Sequence, residues 1–216
     1  TDYMRSLLVQ NGFDPQRVSL LPPHFFADDA SAGFRTPAGP PAVLFAGRLE
    51  VEKGLPYLLS AFSKIPAPAH LVVAGDGTQR PAYEQLVGEL DLGDRVAFRG
   101  WLRGEEMEAA YQECSLLVVP SICPEPFGKV GVEALAHGRP VVAFDVGGIA
   151  DWLRNGEDGF LVPPTDVNEM AQSTQSLLTN RSLCLQMGRS AQTRVLERYV
   201  GDQHLTHLIS LLESVR

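Results

Sequence analysis

The sequence alternates between short apolar segments and longer segments with helical periodicity, and this alternation restricts the fold more than any other feature. The apolar segment 42–46 stops at Gly47, and the segment 141–144 stops at Asp145. Strands that are apolar on both faces belong to parallel sheets that helices cover. Right-handed crossovers then predict an α/β fold, a doubly wound, Rossmann-like parallel sheet of about six strands with further helices at the C-terminus.

Apolar runs, helical periods, glycines and prolines set the predicted bounds of each element. We predict strands at 18–21, 42–46, 70–74, 95–98, 115–119, 141–144 and 159–162. We predict helices at 2–11, 55–64, 81–90, 105–113, 128–137, 166–179, 181–198 and 202–215. The proline- and glycine-bearing stretch that ends at Pro41 indicates a boundary or linker.

Composition and charge argue against several classes of protein. The chain has 216 residues, of which 44% are hydrophobic and 20% are charged, as in an ordinary globular protein. Its 18 basic and 26 acidic residues give a net charge of −8, which argues against a nucleic-acid partner. Its three cysteines form no C-x-x-C pair and are odd in number, so we expect a reducing compartment and a cytoplasmic protein.

The loop 47–54 carries two cations at the end of a predicted strand, where open α/β sheets bind ligands. Arg48 offers a planar fork and Lys53 a point charge, which together suit a diphosphate, and Gly47 lets a ligand approach the backbone. A solvated turn in which the two cations pair with Glu50 and Glu52 explains the same residues equally well. The loop is not a P-loop, because no G-x-x-x-x-G-K-[ST] string occurs.

Two glutamates follow the predicted strand 115–119. Glu125 lies in a proline-stiffened loop just before a helix that begins near Phe127 or Gly128, where free N–H groups favour negative charge. Glu133 lies in an otherwise apolar helical turn and can accept hydrogen bonds from a ribose diol. A buried glutamate satisfied by backbone or by an arginine is the alternative. A hydrolytic acid/base pair is less favoured, because the two carboxylates have different settings.

Three further loops at the same predicted sheet edge are less specific. Gly75-Asp76-Gly77 is explained by a tight turn, and Trp101, which follows Arg99-Gly100, is more often a packing residue than a base contact. Gly147-Gly148 lets backbone come close to a ligand or simply forms a turn before a short helix.

Taken together, these motifs resemble the retaining glycosyltransferases of family 4, also called the glycosyl transferases group 1. The resemblance rests on Gly47-Arg48-Leu49 with Lys53-Gly54, on Glu125-Pro126-Phe127-Gly128 with Glu133-Ala134, and on Gly138-x-Pro140. It covers roughly residues 43–166 and looks like the C-terminal, donor-binding half of an enzyme of GT-B architecture.

The resemblance implies a role for each matching residue. As catalytic residues, Glu125, Arg48 and Lys53 would act on the transferred sugar and the leaving group. The implied contacts are Gly47, Arg48 and Lys53 with the donor diphosphate, Glu125, Phe127 and Gly128 with the sugar, and Glu133, Val130 and Arg99 with the ribose and base. The resemblance also implies retention by front-face displacement, with neither metal nor cofactor.

The resemblance further implies that part of such an enzyme is absent. We expect 1–23 to be the end of a missing N-terminal acceptor domain, 24–41 the interdomain linker, 42–200 the donor domain and 201–216 a helix that crosses back. The start at Thr1, without methionine, fits a cut or processed fragment. The expected partners are a nucleotide sugar and the missing domain, and membrane contact is expected only through that domain.

Two other functions compete with this interpretation. A module that binds a nucleotide or nucleotide sugar without turnover would use the same loops. A dinucleotide-binding oxidoreductase is weakly supported, because no G-x-G-x-x-G opens a helix near the first strand.

Overall fold

A computed structural model describes residues 1–21, 23, 34, 36–37, 39–66, 68–199 and 203–214 of the chain. Within these residues, six parallel strands form one sheet in the order β3-β2-β1-β4-β5-β6. The strands are β1 Ala42–Ala46, β2 His70–Ala74, β3 Val96–Gly100, β4 Leu116–Val119, β5 Val141–Phe144 and β6 Gly159–Val162. The predicted α/β fold class and strand number are therefore confirmed.

Helices cover both faces of this sheet. They are α1 Asp2–Gln10, α2 Leu55–Phe62, α3 Arg80–Glu89, α4 Glu105–Glu113, α5 Lys129–Ala136, α6 Val167–Thr179, α7 Arg181–Tyr199 and α8 Gln203–Ser214. Side chains alternate across the strands: Val43 and Phe45 pack with α2, α3 and α6, whereas Leu44 packs with α4, α5 and α7. No described helix is both long and apolar enough to cross a membrane.

The burial of the strands explains why the sequence predicts them well. Every residue of β4 and β5 is buried, as expected for central strands of a covered parallel sheet. In β3 the exposed residues alternate with half-buried ones, because this strand lies at the sheet edge. The predicted bounds agree with the observed ones to within about two residues for the other strands and for the helices of the described chain.

The strand predicted at 18–21 is wrong. These four residues follow a short 3-10 turn at Pro15–Arg17, in which the Asp14 side chain accepts from the Gln16 amide, and they join no sheet within the described chain. A short apolar run becomes a strand only where a neighbouring strand pairs with it, and the described residues supply none here. Most of the predicted linker, 24–33 with 35 and 38, lies outside the described residues.

The order in which successive strands join the sheet reverses at its centre, between β1 and β4. Strands β1, β2 and β3 follow one another towards one edge, and β4, β5 and β6 follow one another towards the other. In open α/β sheets this reversal leaves a crevice outside the carboxyl ends of the two central strands. The fold therefore places a crevice between the loop that follows β1 and the loop that follows β4.

Helix α5 packs against the side chain of Trp152, which is fully buried. The Trp152 ring sets the distance between α5 and the residues that follow β5. The Trp152 indole N–H donates to the carbonyl of Phe127, just before the helix begins. A methyl group at Gly131 would lie 2.0 Å from the Trp152 ring, so only glycine allows the contact. Arg194 of α7 fixes the other side by donating to the Trp152 carbonyl at 2.7 Å and pairing with Asp158.

We expect Gly131→Ala to lower the free energy of unfolding by about 1–3 kcal/mol or more, because the new methyl group overpacks the Trp152 contact. Gly88→Ala is the matched control, since Gly88 is also helical and a methyl group there meets nothing within 4 Å. The control should be neutral or stabilising by about 0.5–1 kcal/mol. Urea unfolding measures both, and equal stabilities of the two variants would contradict the packing account.

Candidate functional site

A cleft of about 140 Å³ lies at the carboxyl ends of β1 and β4, where the strand order reverses. Its walls are formed by Lys53, Glu125 and the ranges 45–47, 118–121 and 128–130. The loops after two central strands and the start of α5 thus converge on one space. Five of the predicted site residues line it: Gly47, Lys53, Glu125, Gly128 and Val130.

Lys53 and Glu125 form an ion pair across this cleft. Lys53 Nζ contacts Glu125 Oε1, and the buried Ser121 hydroxyl donates to the same oxygen at 2.7 Å. The two charged side chains keep 24% and 15% of their exposure, so they remain accessible at the cleft. A predicted phosphate-binding cation and a predicted sugar-binding carboxylate are therefore paired with each other.

Arg48 is placed differently from Lys53. Its guanidinium donates to Glu52 at 2.9 Å, and 60% of its side chain is exposed. The described residues that line the cleft do not include it. The pairing with a neighbouring glutamate is the one that the solvated-turn alternative describes, and a role in phosphate binding stays a prediction for Arg48.

Lys129 supplies a second cation to the cleft that sequence reasoning missed. It is the first residue of α5, lines the cleft, and its ammonium lies 3.0 Å from Glu133 Oε1. The signal was present in the sequence, because a lysine four residues before a glutamate on a helix places the two charges together. Gly128, with φ of 83°, forms the left-handed turn that starts this helix.

The carboxylate of Glu133 is held from two sides. Besides Lys129 on Oε1, the hydroxyl of Tyr111 donates to Oε2 at 3.0 Å. Burial, and next the negative charge of Glu133, raise the pKa of Tyr111, so the hydroxyl stays protonated and donates. Sequence reasoning did not single out Tyr111, because a tyrosine on a helix beside the sheet is indistinguishable from a core residue.

Glycines in these loops bring neighbouring loops together. The Gly148 N–H donates to the Glu125 carbonyl at 2.7 Å, and a methyl group at Gly147 would lie 2.4 Å from that carbonyl. Gly147-Gly148 therefore accommodates a neighbouring loop, and it forms the turn before a short helix that was one of its two interpretations. Gly47 differs, because a methyl group there would meet only the Phe45 ring, at 3.7 Å, and the cleft lies open beside it.

The loop after β2 ties the loop after β1 to the sheet. The Leu49 N–H donates to the Asp76 carbonyl at 2.9 Å, and Glu50 accepts from the Thr78 amide and hydroxyl. The Gly77 N–H, and next Arg80, lower the pKa of Asp76. The predicted tight turn at 75–77 thus supports the cleft from outside.

Two further predicted site residues, Arg99 and Phe127, do not line the cleft. Arg99 is exposed on the edge strand β3, which β2 separates from β1. Phe127 precedes α5, where its carbonyl accepts from Trp152 and its ring contacts Tyr199 edge to face at 5.8 Å.

A second cleft of about 140 Å³ lies at the opposite edge of the sheet, beside the residues that precede β1 and β4. It is lined by Pro37, Gly39, Pro41, Ser115, Leu177, Leu178, Arg181, Cys184 and Leu185. Arg181 donates to the Pro37 carbonyl at 3.3 Å, and burial raises the pKa of the Cys184 thiol to about 11. Its lining is thus mainly apolar and its thiol unreactive.

The model of the family described as Glycosyl transferases group 1 matches residues 40–180 of the chain. The chain is 34% identical to an uncharacterized glycosyltransferase of Methanocaldococcus jannaschii over 74% of its length, and 34% identical to alpha-D-kanosaminyltransferase of Streptomyces kanamyceticus over 76%. It spans 41% and 44% of these two relatives, less than half of each.

Solved structures of similar fold include a protein from Anabaena and one from Thermosynechococcus elongatus. Anabaena HepE, crystallised in complex with UDP, superposes with a TM-score of 0.89 at 24% identity, over 97% of this chain and 61% of that protein. Sucrose-phosphate synthase from Thermosynechococcus elongatus superposes with a TM-score of 0.85 at 29% identity, over 98% of this chain and 56% of that protein.

Proposed function

The chain belongs to the glycosyl transferases group 1 family, and on that premise we propose that it binds the nucleoside-diphosphate sugar donor of a retaining, family 4 glycosyltransferase. The observation that carries the proposal is the cleft between β1 and β4, where Lys53, Lys129, Glu125 and the start of α5 converge. Glu133 reaches the same region through its contact with Lys129. Cations for phosphates and carboxylates for hydroxyls thus lie within one site.

The diphosphate is assigned to Lys53 and to the first turn of α5. The first amide groups of a helix have no partner within it and favour an anion. Lys53 adds a charge that forms strong hydrogen bonds to phosphate oxygens. These groups neutralise the negative charge that grows on the nucleoside diphosphate as it leaves, so the proposal assigns no metal and no cofactor to the site. Arg48 would add a further cation on leaving its ion pair with Glu52 and binding a phosphate oxygen of the donor.

Glu125 is assigned to the transferred sugar and Glu133 to the ribose. In the reaction that the resemblance implies, the bond between the sugar C1 and the diphosphate oxygen breaks. The acceptor hydroxyl oxygen forms the new bond to C1 on the same face, and its proton passes to the departing diphosphate. Glu125 would orient the sugar for this step, with its carboxylate fixed by Ser121.

Transfer is proposed for the whole enzyme, of which this chain supplies the donor side. The chain spans less than half of its curated relatives named above. An acceptor-binding domain on the open side of the cleft would complete the site. The alternative, a module that binds nucleotide sugars without turnover, is an outcome of the tests below.

We expect Lys53→Ala to weaken nucleoside diphosphate binding about tenfold to a hundredfold and nucleoside binding far less, because the loss falls on contacts to phosphate. Since this variant leaves Glu125 unpaired, Lys53→Ala is also measured together with Glu125→Gln. Lys64→Ala is the control, as Lys64 is exposed and contacts Asn168. Calorimetry on this chain decides, and equal losses for nucleoside and diphosphate would mean that Lys53 acts only in folding the loop.

We expect Glu125→Gln to leave nucleoside diphosphate binding unchanged or slightly stronger, because the substitution releases Lys53 from its ion pair. In an enzyme that includes the acceptor domain, transfer should fall about a hundredfold, mainly in kcat, because the contact acts on the transition state. Glu157→Gln is the control, since Glu157 pairs with Arg154 on the exposed surface.

Undiminished transfer by Glu125→Gln would remove this residue from the reaction. Absence of any transfer by the unaltered whole enzyme, with nucleotide binding intact, would favour the module without turnover.

A further inference from the structure

The Glu133 side chain accepts a hydrogen bond from a residue of a different helix, and the helix that carries Glu133 does not need this bond in order to form. Tyr111 lies on α4, and its hydroxyl reaches Glu133 Oε2 on α5 at 3.0 Å. The Tyr111 side chain is buried within the layer between these helices and the sheet. We propose that Tyr111 is a positioning residue that fixes the Glu133 carboxylate for binding the ribose hydroxyls. This inference rests on the ribose role proposed above for Glu133.

The hydroxyl has one proton and two acceptors within reach. The Val130 carbonyl lies 3.4 Å away, and the Glu133 carboxylate lies 3.0 Å away. The shorter contact is to the charged acceptor, and hydrogen bonds to an ionised carboxylate are the stronger kind. The Tyr111 hydroxyl therefore donates its hydrogen bond to the Glu133 carboxylate and not to the Val130 carbonyl.

Tyr111 is itself held in place by its surroundings. Its ring stacks on His137 with the centroids 4.9 Å apart and the planes 16° apart. Its backbone carbonyl accepts from the buried Arg139 at 2.8 Å. His137 lies one helical turn after Glu133, and its Nε2 atom contacts the carboxylate of Glu108 on α4. These contacts hold the Tyr111 ring between α4 and α5, and so they fix the position of its hydroxyl.

The fixed position of the Tyr111 hydroxyl matters because the Glu133 carboxylate must accept from both ribose hydroxyls at the same time. The Glu133 carboxylate has about four lone-pair sites, and Tyr111 and Lys129 take one each. Their contacts define the plane of the carboxylate and leave the remaining sites for two ribose hydroxyls. Lys129 is 67% exposed, so its contact alone restrains the carboxylate weakly. Tyr111 is the buried partner, and it therefore determines the orientation of the Glu133 carboxylate more than Lys129 does.

The test compares a ribose ligand with its counterpart that lacks both hydroxyls. The probes are UDP, GDP and ADP, of which the tightest binder is used, and its 2′,3′-dideoxy form. In the unaltered chain the ribose form should bind more tightly. Tyr111→Phe keeps the ring and removes the hydroxyl, and it should reduce this preference about two- to tenfold by weakening the ribose form alone. A general loss of packing would weaken both ligands equally and leave the preference unchanged.

Two variants complete the experiment. Tyr83→Phe is the matched control, because Tyr83 is also buried and its hydroxyl has no hydrogen-bond partner among the described residues. It should leave the preference unchanged. Glu133→Gln should abolish most of the preference, and adding Tyr111→Phe to it should change nothing further.

Each unfavourable outcome points to a different error. An unchanged preference in Tyr111→Phe, with a lost preference in Glu133→Gln, would overturn the positioning role and leave the ribose site standing. An unchanged preference in Glu133→Gln would overturn the ribose site and the inference with it. A loss in Tyr111→Phe that persists unchanged on top of Glu133→Gln would show that Tyr111 acts without Glu133.

Discussion

The parallel pairing of β1 with β4 is the constraint on which the rest of the site depends. It aligns Val43 with Leu116 and Leu44 with Leu117, and so brings the two following loops to one edge of the sheet. Lys53 and Glu125, 72 residues apart in the sequence, meet only because of this pairing. Ser121 fixes Glu125, and the Glu125 carbonyl in turn accepts from Gly148, so the loop after β5 joins the same rim.

The charges around the cleft are already matched in pairs, and this affects what a ligand must offer. Lys53 pairs with Glu125 and Lys129 with Glu133 at the cleft, and Arg48, which does not line it, pairs with Glu52. A simple phosphate must compete with these carboxylates for the cations. Under the proposed function, a nucleotide sugar presents phosphates to the lysines and hydroxyls to the glutamates, so both members of a pair gain a new partner. Under the proposed function, the pairing would therefore favour the complete donor over its parts.

The sequence predicted the sheet well because its central strands are apolar on both faces, as β4 and β5 illustrate. It failed at 18–21, because an apolar run does not reveal whether a neighbouring strand exists. Gly147-Gly148 left two interpretations open, an approach to ligand or a turn, and the Glu125 backbone that fills the space beside Gly147 is a contact that only the fold reveals. Tyr111 could not be found for a similar reason. Its contact with Glu133 joins two helices that are separated in the sequence by a strand.

Chemical-shift mapping of the labelled chain with a nucleoside diphosphate tests the central claim most directly. Among the described residues, one cleft carries the proposed site and another of similar size lies at the opposite edge of the sheet. On titration with UDP, GDP or ADP, the largest amide shifts should cluster at Gly47 and at 128–130. The matching nucleoside should shift these amides much less. Shifts concentrated at 177–185, or scattered over the surface without a cluster, would contradict the assignment of the donor to the cleft between β1 and β4.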